Sequence, residues 1–210
     1  MARILITSGP TREYLDPVRY LTNASSGRMG QALAEVAVKA GHEVVIVSGP
    51  VEIDYPEQAQ VVSVVSTEEM LEACREVFPR CDGLIGVAAP CDYRPRKTAR
   101  HKLSKTGRGL ELHLVETPDI VATLGASRSQ GQWMVAFALE TEDPRIRAVQ
   151  KLERKRCDLI VLNGPAAIHA ATTAVEVLDR RGTVLAALSG GKREVAEGIF
   201  RIIEERLLGR

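Results

Sequence analysis

The stretch Ala2–Gly30, ARILITSGPTREYLDPVRYLTNASSGRMG, decides the fold class. Arg3-Ile4-Leu5-Ile6-Thr7 is a β-branched run of strand length. A helical pattern opens after Ser25-Ser26-Gly27 and carries Met29, Leu33, Ala34, Val36, Ala37 and Ala40 at mixed three- and four-residue spacings. The connecting loop holds two small-residue clusters, Thr7-Ser8-Gly9 and Ser25-Ser26-Gly27. A helix N-terminus preceded by Ser, Ser and Gly offers free backbone N–H groups, hydroxyls and the positive end of a dipole, which suits a phosphate. The loop is too long for a simple turn and reads as a binding loop.

Outward from this stretch the same theme repeats. Glu43–Val47 reads as a second strand, entered through Gly41 as a helix C-cap, and Val61–Val65 as a third. Thr67 is placed to cap the next helix, whose inner side carries Met70, Leu71 and Cys74. Gly83–Ala89 is nearly all apolar, as a strand covered on both faces should be. Trp133–Ala138 and Asp158–Leu162 are further strands, separated by a helix from about Pro144 to Lys155. Ala174–Leu178 and Thr183–Leu188 flank Asp179-Arg180-Arg181-Gly182 and read as an edge hairpin, followed by a last helix over Lys192–Leu208. The basic, turn-rich segment Tyr93–Gly109 breaks the pattern and reads as a mobile loop or arm. The expected architecture is α/β: a Rossmann-like, doubly wound, mostly parallel sheet with a C-terminal edge hairpin, in one domain over residues 1–210.

Bulk properties narrow the class. The 210 residues are 45% hydrophobic and 26% charged, ordinary values for a globular chain. A formal charge of +1 and 4% aromatic residues argue against nucleic acid. No apolar run is long enough to span a membrane, and MARILITSG has no signal-peptide architecture, so the expected location is the cytoplasm, away from membranes. Cys74, Cys81, Cys91 and Cys157 lack metal-ligand spacing and read as reduced thiols.

Ligands of open α/β sheets bind beyond the carboxyl ends of the strands. Four polar segments follow strands and should meet there: Ser8–Gly27, Pro90–Lys105, Glu140-Thr141-Glu142-Asp143, and Asn163-Gly164. Their cations suit a multiphosphate ligand: Arg12 and Arg19 in the first loop, Lys102 and Lys105 in the arm. Lys151 and Lys155 share one helix side, although taken alone that pair also reads as a solvated face. Ser25-x-Gly27-x-x-Gly30 is a degenerate match to a dinucleotide fingerprint, but a long insertion separates it from the strand, and the second strand ends in Val47-Ser48-Gly49 without an acid. A nicotinamide-dependent oxidoreductase is therefore the weaker alternative. His42, His101, His113 and His169 form no ligand pattern.

The motifs TSGPTREYLDPVRYLTNASSGRMG, VSGP, AAPCDYRP, HKLSK, TPDI, FALETED and KLERKRCDLIVLN, in that order, resemble the phosphopantothenoylcysteine synthetase (phosphopantothenate–cysteine ligase) family over most of the chain. The family includes the second half of the bacterial bifunctional coenzyme A flavoprotein; no flavin-binding half is seen here, so the resemblance implies a stand-alone, flavin-free synthetase. It implies that 4′-phosphopantothenate and L-cysteine are joined through an acyl-nucleotide formed from CTP, with ATP as the alternative, accompanied by magnesium and carried out by a homodimer. Arg19, Asn23 and Lys102 match the catalytic positions, and Arg19, Asn23 and Ala89 those that hold the acyl substrate. The nucleotide positions fall on Ser8, Gly9, Ser25, Ser26, Gly27, Gly86, Val87, Ala88, Asp92, Lys102, Thr117, Pro118, Asp119, Ile120, Phe137, Lys151 and Lys155; metal ligands are not identified. Departures from the pattern lie at Ser104, Cys91, Asn163-Gly164-Pro165-Ala166, Ala171 and Thr173. They bear on turnover, nucleotide contacts and dimer packing, and leave open a non-catalytic relative that binds nucleotide. Cys91 reads as a packed thiol with no paired base.

Overall fold

The apolar run at the start of the chain becomes β1 (Arg3–Ser8), buried along its length from Ile4 onward because it is paired in parallel on both sides. Its neighbours are β4 (Glu43–Ser48) and β6 (Gly83–Gly86), with Ile6 in register with Ile46 and Ile85. A computed structural model of the chain describes residues 1–139, 142–164 and 172–209.

Beyond β4 lies β5 (Gln60–Ser63), and beyond β6 lie β9 (Trp133–Leu139) and β10 (Leu159–Asn163), all parallel. The hairpin β11 (Thr172–Asp179) and β12 (Val184–Gly191) completes the eight-stranded sheet, in the order β12-β11-β10-β9-β6-β1-β4-β5. β11 is antiparallel to both neighbours, so β12 again points the same way as the parallel strands. The doubly wound, mostly parallel sheet and its edge hairpin are thus as the sequence predicts.

Helices cover both faces. Against one lie α1 (Arg28–Lys39) and α5 (Lys192–Leu207), which bury Leu33, Ala37, Ile199 and Phe200. Against the other lie α2 (Thr67–Val77), α3 (Ile120–Ser127) and α4 (Pro144–Arg154), which bury Met70, Leu71, Leu124 and Leu152. The chain runs outward from β1 to β5, then returns to the other side of β1 as β6. That reversal opens a crevice at the carboxyl ends of β1 and β6.

Four local expectations need correction. Ser66, rather than Thr67, caps α2: its Oγ accepts the Glu69 N–H at 3.2 Å. Thr67 is the first helical residue and is buried, its hydroxyl 2.8 Å from that of Thr11 and its N–H donated to Glu13 at 2.8 Å. The fourth strand stops at Gly86 rather than Ala89, because the chain bends so that the Ala88 N–H meets Thr7 Oγ1 and the Ala89 N–H meets Gly9 O. The third strand begins at Gln60 and ends at Ser63. The arm is more ordered than a free loop: β7 (Tyr93–Pro95) pairs with β8 (Leu114–Glu116), and the Ala99 N–H donates to Leu15 O.

Candidate functional site

Two small residues set the geometry where β1 meets α1. The first intrahelical bond of α1 runs from the Gln31 N–H to Gly27 O, so the N–H groups of Arg28, Met29 and Gly30 lack a helical acceptor. Gly27 takes φ 74°, and a Cβ there would lie 2.9 Å from Val51 Cγ1, so glycine is required on both counts. Ser8 is fully buried beneath this turn and donates to Gly27 O at 3.3 Å.

The loop ahead of the helix is tied to the loop after β6. Asn23 Nδ2 donates to Pro90 O at 2.8 Å and Ala89 O at 3.3 Å. Two carbonyl acceptors require the NH2 end of the amide there, which leaves Asn23 Oδ1 as the group able to accept. The Cys91 N–H donates to Thr11 Oγ1 at 2.8 Å, and Thr117 donates its hydroxyl to Cys91 O. Burial pushes the Cys91 thiol above its ordinary range, with only partial relief from its contact with Thr11. A buried, protonated thiol is a poor nucleophile, in keeping with a packing role.

These loops frame a cleft with two connected lobes at the carboxyl edge of the sheet. The smaller, about 460 Å³, lies over the start of α1 and is lined by Asn23, Ser25, Ser26, Gly27, Val87 and Ala89. The larger, about 900 Å³, lies toward α3 and α4 and is lined by Gly86 and by Thr117, Pro118, Asp119 and Ile120. Ala88, Asp92, Phe137 and Lys151 face both lobes and join them.

At the far wall of the larger lobe, Asp119 caps α3 by accepting the Ala122 N–H at 3.0 Å. Lys155 Nζ donates to the same oxygen, Asp119 Oδ1, at 2.7 Å, and Arg154 approaches Oδ2 at 3.4 Å. Burial pushes the Asp119 carboxyl up, but the Lys155 hydrogen bond and charge outweigh it and hold it below the usual carboxylate range.

Four of the residues expected at the site lie off the cleft. Ser8 is buried under α1, where a small side chain serves helix–strand packing, and Gly9 is buried with φ 73° against Val51 and the Gly49 carbonyl. Arg19 is held in the turn between β2 (Arg12–Tyr14) and β3 (Tyr20–Thr22), paired with the fully buried Asp16 carboxylate. Its Nη2 also donates to Leu103 O at 2.6 Å, and the Leu103 N–H returns to Asp16 Oδ2 at 3.1 Å. The Arg19 side-chain hydrogen bond leads a set that holds the Asp16 carboxyl far below its usual range. Lys102, next to Leu103, is exposed and lines neither lobe. Arg19 thus anchors the arm that carries Lys102, and neither meets Asn23. Glu140, Thr141, Pro165, Ala166 and Ala171 lie outside the described residues.

The structure adds lining residues that sequence reasoning did not single out. Arg28 and Lys192 join the smaller lobe, and Arg147 and Arg154 the larger; Thr173, noted above as a departure from the family pattern, also lines the smaller lobe. Arg28 stands inside the opening motif and was overshadowed by its glycines; Lys192 carries no local signal beyond starting a helix. Among the described residues there is no group of three or more His, Cys, Asp or Glu placed to hold a metal. Asp92, the carboxylate facing both lobes, fits a magnesium ion that takes its other ligands from phosphate and water. Among the described residues no helix is long and apolar enough to cross a membrane.

A separate groove of about 820 Å³ lies along the hairpin, lined by Ile146, Leu162, Val175, Ala187 and Leu188. Among the described residues its one basic lining side chain, Arg145, is paired with Glu176 at 2.7 Å, so its chemistry is that of an apolar surface rather than a polyanion site.

Comparison with known proteins places this cleft in context. The sequence model described as "DNA/pantothenate metabolism flavoprotein C-terminal domain" matches residues 1–207. The "Coenzyme A biosynthesis bifunctional protein CoaBC" of Vibrio vulnificus (strain YJ016) is 45% identical over 162 residues, covering 76% of this chain and 40% of that protein. A "Cysteine/Cysteine sulfinic acid decarboxylase" from an unknown prokaryotic organism is 40% identical over 206 residues, covering 96% of this chain and 57% of that protein. The chain therefore spans about half the length of these relatives. The crystal structure of the C-terminal domain of CoaBC superposes with a TM-score of 0.83 at 38% identity, covering 99% of this chain and 98% of that one.

Proposed function

Because this chain belongs to the family of DNA/pantothenate metabolism flavoprotein C-terminal domains, we propose that it is a phosphopantothenate–cysteine ligase, joining 4′-phosphopantothenate to L-cysteine at the expense of CTP or ATP. The observation that carries this reading is the two-lobed cleft, in which the start of α1, Asn23, Asp92, Phe137 and Lys151 converge from separate elements. Residues 1–210 act as one synthetase unit in the cytoplasm, as a homodimer.

The larger lobe takes the nucleoside, between Phe137 and the Thr117–Ile120 turn, with Lys155 and Asp119 as a fixed polar pair at its wall. The phosphates run past Lys151 toward the free N–H groups of α1. The acid lies along Asn23 and Ala89. A carboxylate oxygen of 4′-phosphopantothenate bonds to the α-phosphorus, and the bond from that phosphorus to the β-bridging oxygen breaks, releasing pyrophosphate. The cysteine amine then adds to the acyl carbon, loses a proton, and expels the nucleoside monophosphate, leaving an amide. Asn23 holds the two loops at a fixed separation around the reacting carbonyl, and its Oδ1 can accept from the incoming amine. Asp92 would hold magnesium, which supplies charge neutralisation for the phosphates. Lys102 closes over the phosphates when the arm leaves its anchor at Arg19 and Asp16.

Pyrophosphate release is the test, measured with 4′-phosphopantothenate, cysteine and either CTP or ATP. Release dependent on both the acid and the amine, faster with CTP, is expected. Nucleotide binding without release, or carbon dioxide formed from cysteine instead, would overturn the reading.

A further inference from the structure

Arg28 opens α1 and Lys192 opens α5, and the two side chains meet at the wall of the smaller lobe. Their meeting follows from topology. β12 runs parallel to the central strands, so α5 begins at the same sheet edge as α1 and packs beside it.

The pairing is electrostatically unfavourable in the empty protein. Neither Arg28 nor Lys192 makes an ion pair or side-chain hydrogen bond among the described residues. Burial and then the charge of Arg28 push the Lys192 ammonium below its ordinary range. Both cations also sit at the positive ends of helix dipoles, where a negative charge would be favoured. Among the described residues, Arg28, Lys192 and the partnered Lys151 face this lobe with the Asp92 carboxylate. Lys151, Lys155, Arg154 and Arg147 differ in having partners of their own, Asp119 for Lys155 and Arg154 and Glu142 for Arg147. An anion in the smaller lobe would attract both cations and offset their mutual repulsion.

We propose that Arg28 and Lys192 form the seat of the nucleotide's β,γ-diphosphate, the group that departs as pyrophosphate; this rests on the ligase reading above. When the acid's oxygen bonds to the α-phosphorus, the electron pair of the breaking phosphorus–oxygen bond stays on the bridging oxygen of pyrophosphate. Negative charge grows on that group, and the exposed Arg28 guanidinium and the half-buried Lys192 ammonium beside it stabilise it. Lys102 belongs to the closing arm, whereas this pair is built into two helices of the scaffold.

Titration calorimetry of the full chain with magnesium pyrophosphate tests the seat. Wild type should bind it, Arg28→Met and Lys192→Met should each weaken binding tenfold or more, and Lys192→Arg should stay within threefold of wild type. Affinity for the nucleoside monophosphate should remain within twofold in all four proteins. Removing one of two like charges should leave Lys192→Met unfolding at or above the wild-type temperature, which separates lost binding from lost folding. Equal pyrophosphate affinity in the Met variants, or no binding by wild type, refutes the seat. Binding that depends on both cations, in a protein that releases no pyrophosphate with acid and cysteine present, supports the seat and sinks the ligase reading instead.

Discussion

Replacing Gly30 by alanine sets two effects against each other, and the structure says which wins. Gly30 is the third residue of α1, where alanine is favoured over glycine by about 1 kcal/mol in an ordinary helix. Propensity alone therefore predicts a more stable protein. An alanine Cβ, however, would stand 2.1 Å from Ser8 Oγ and 2.7 Å from Ser8 Cβ. Ser8 is fully buried and cannot swing into solvent, so α1 must lift from β1 or the Ser8 bond to Gly27 O must break. Overpacking of this kind costs about 1–3 kcal/mol, and the lost hydrogen bond about 1 kcal/mol more. The net result is a destabilisation of about 1–3 kcal/mol, a fall in unfolding temperature of roughly 2–12 °C for a chain of this size. The lifted helix start also moves the N–H groups of Arg28 and Met29 relative to Asn23. A misplacement of about 1 Å should lower turnover roughly a hundredfold. Thermal unfolding and pyrophosphate release are read on the same preparation. Combining Gly30→Ala with Ser8→Gly removes both close contacts and should recover most of the turnover. A Gly30→Ala protein that unfolds above wild type and turns over normally would refute the packing argument.

Three further outcomes are expected. Lys155→Met removes the partner that holds the Asp119 carboxyl below the usual carboxylate range; because its pKa is lowered on folding, the pair's stability is present above about pH 4 and is lost as pH falls through the folded value. The gap in unfolding midpoint between wild type and variant should therefore be open at pH 7 and narrow steadily below pH 4; a gap independent of pH contradicts the assignment. Burial pushes Cys74 and Cys157 up to about 12 and Cys81 up to about 11, so none of the four buried thiols should react with a chromogenic disulfide at pH 8 until denaturant is added, and early labelling of Cys91 would count against its packed state. Asp16→Asn weakens the acceptor for Arg19 and for the Leu103 N–H, so trypsin should cut at Lys102 and Lys105 several-fold faster than in wild type; unchanged cleavage would mean that other contacts fix the arm.

The differences between expectation and structure have identifiable physical origins. Ser8 is small for the same reason Gly30 is, because α1 approaches β1 too closely for larger groups, whereas Gly9 takes φ 73° with Val51 and the Gly49 carbonyl against it; a small residue demanded by packing looks in sequence like one demanded by a ligand. The arm was legible as polar and basic, yet its anchor depends on Asp16, whose carboxylate gathers contacts from residues near 19 and near 103 at once. Thr67 was mistaken for a cap because Ser66 and Thr67 offer the same chemistry, and only the burial of Thr67 separates them.

Strand identity, the alternation that makes a parallel sheet, and the helix start at Gly27 follow from local preferences: β-branched runs, apolar spacing, and a backbone angle that only glycine takes freely. Those features are written in neighbouring residues, so the chain read by itself determines them. The cleft is another matter. Asn23 against Pro90, Lys155 against Asp119, and Arg28 against Lys192 are brought together by strand order and by helices beginning at one sheet edge. Charge and hydrogen bonding act over a few ångströms of space whatever the separation along the chain, and tertiary packing alone sets those distances.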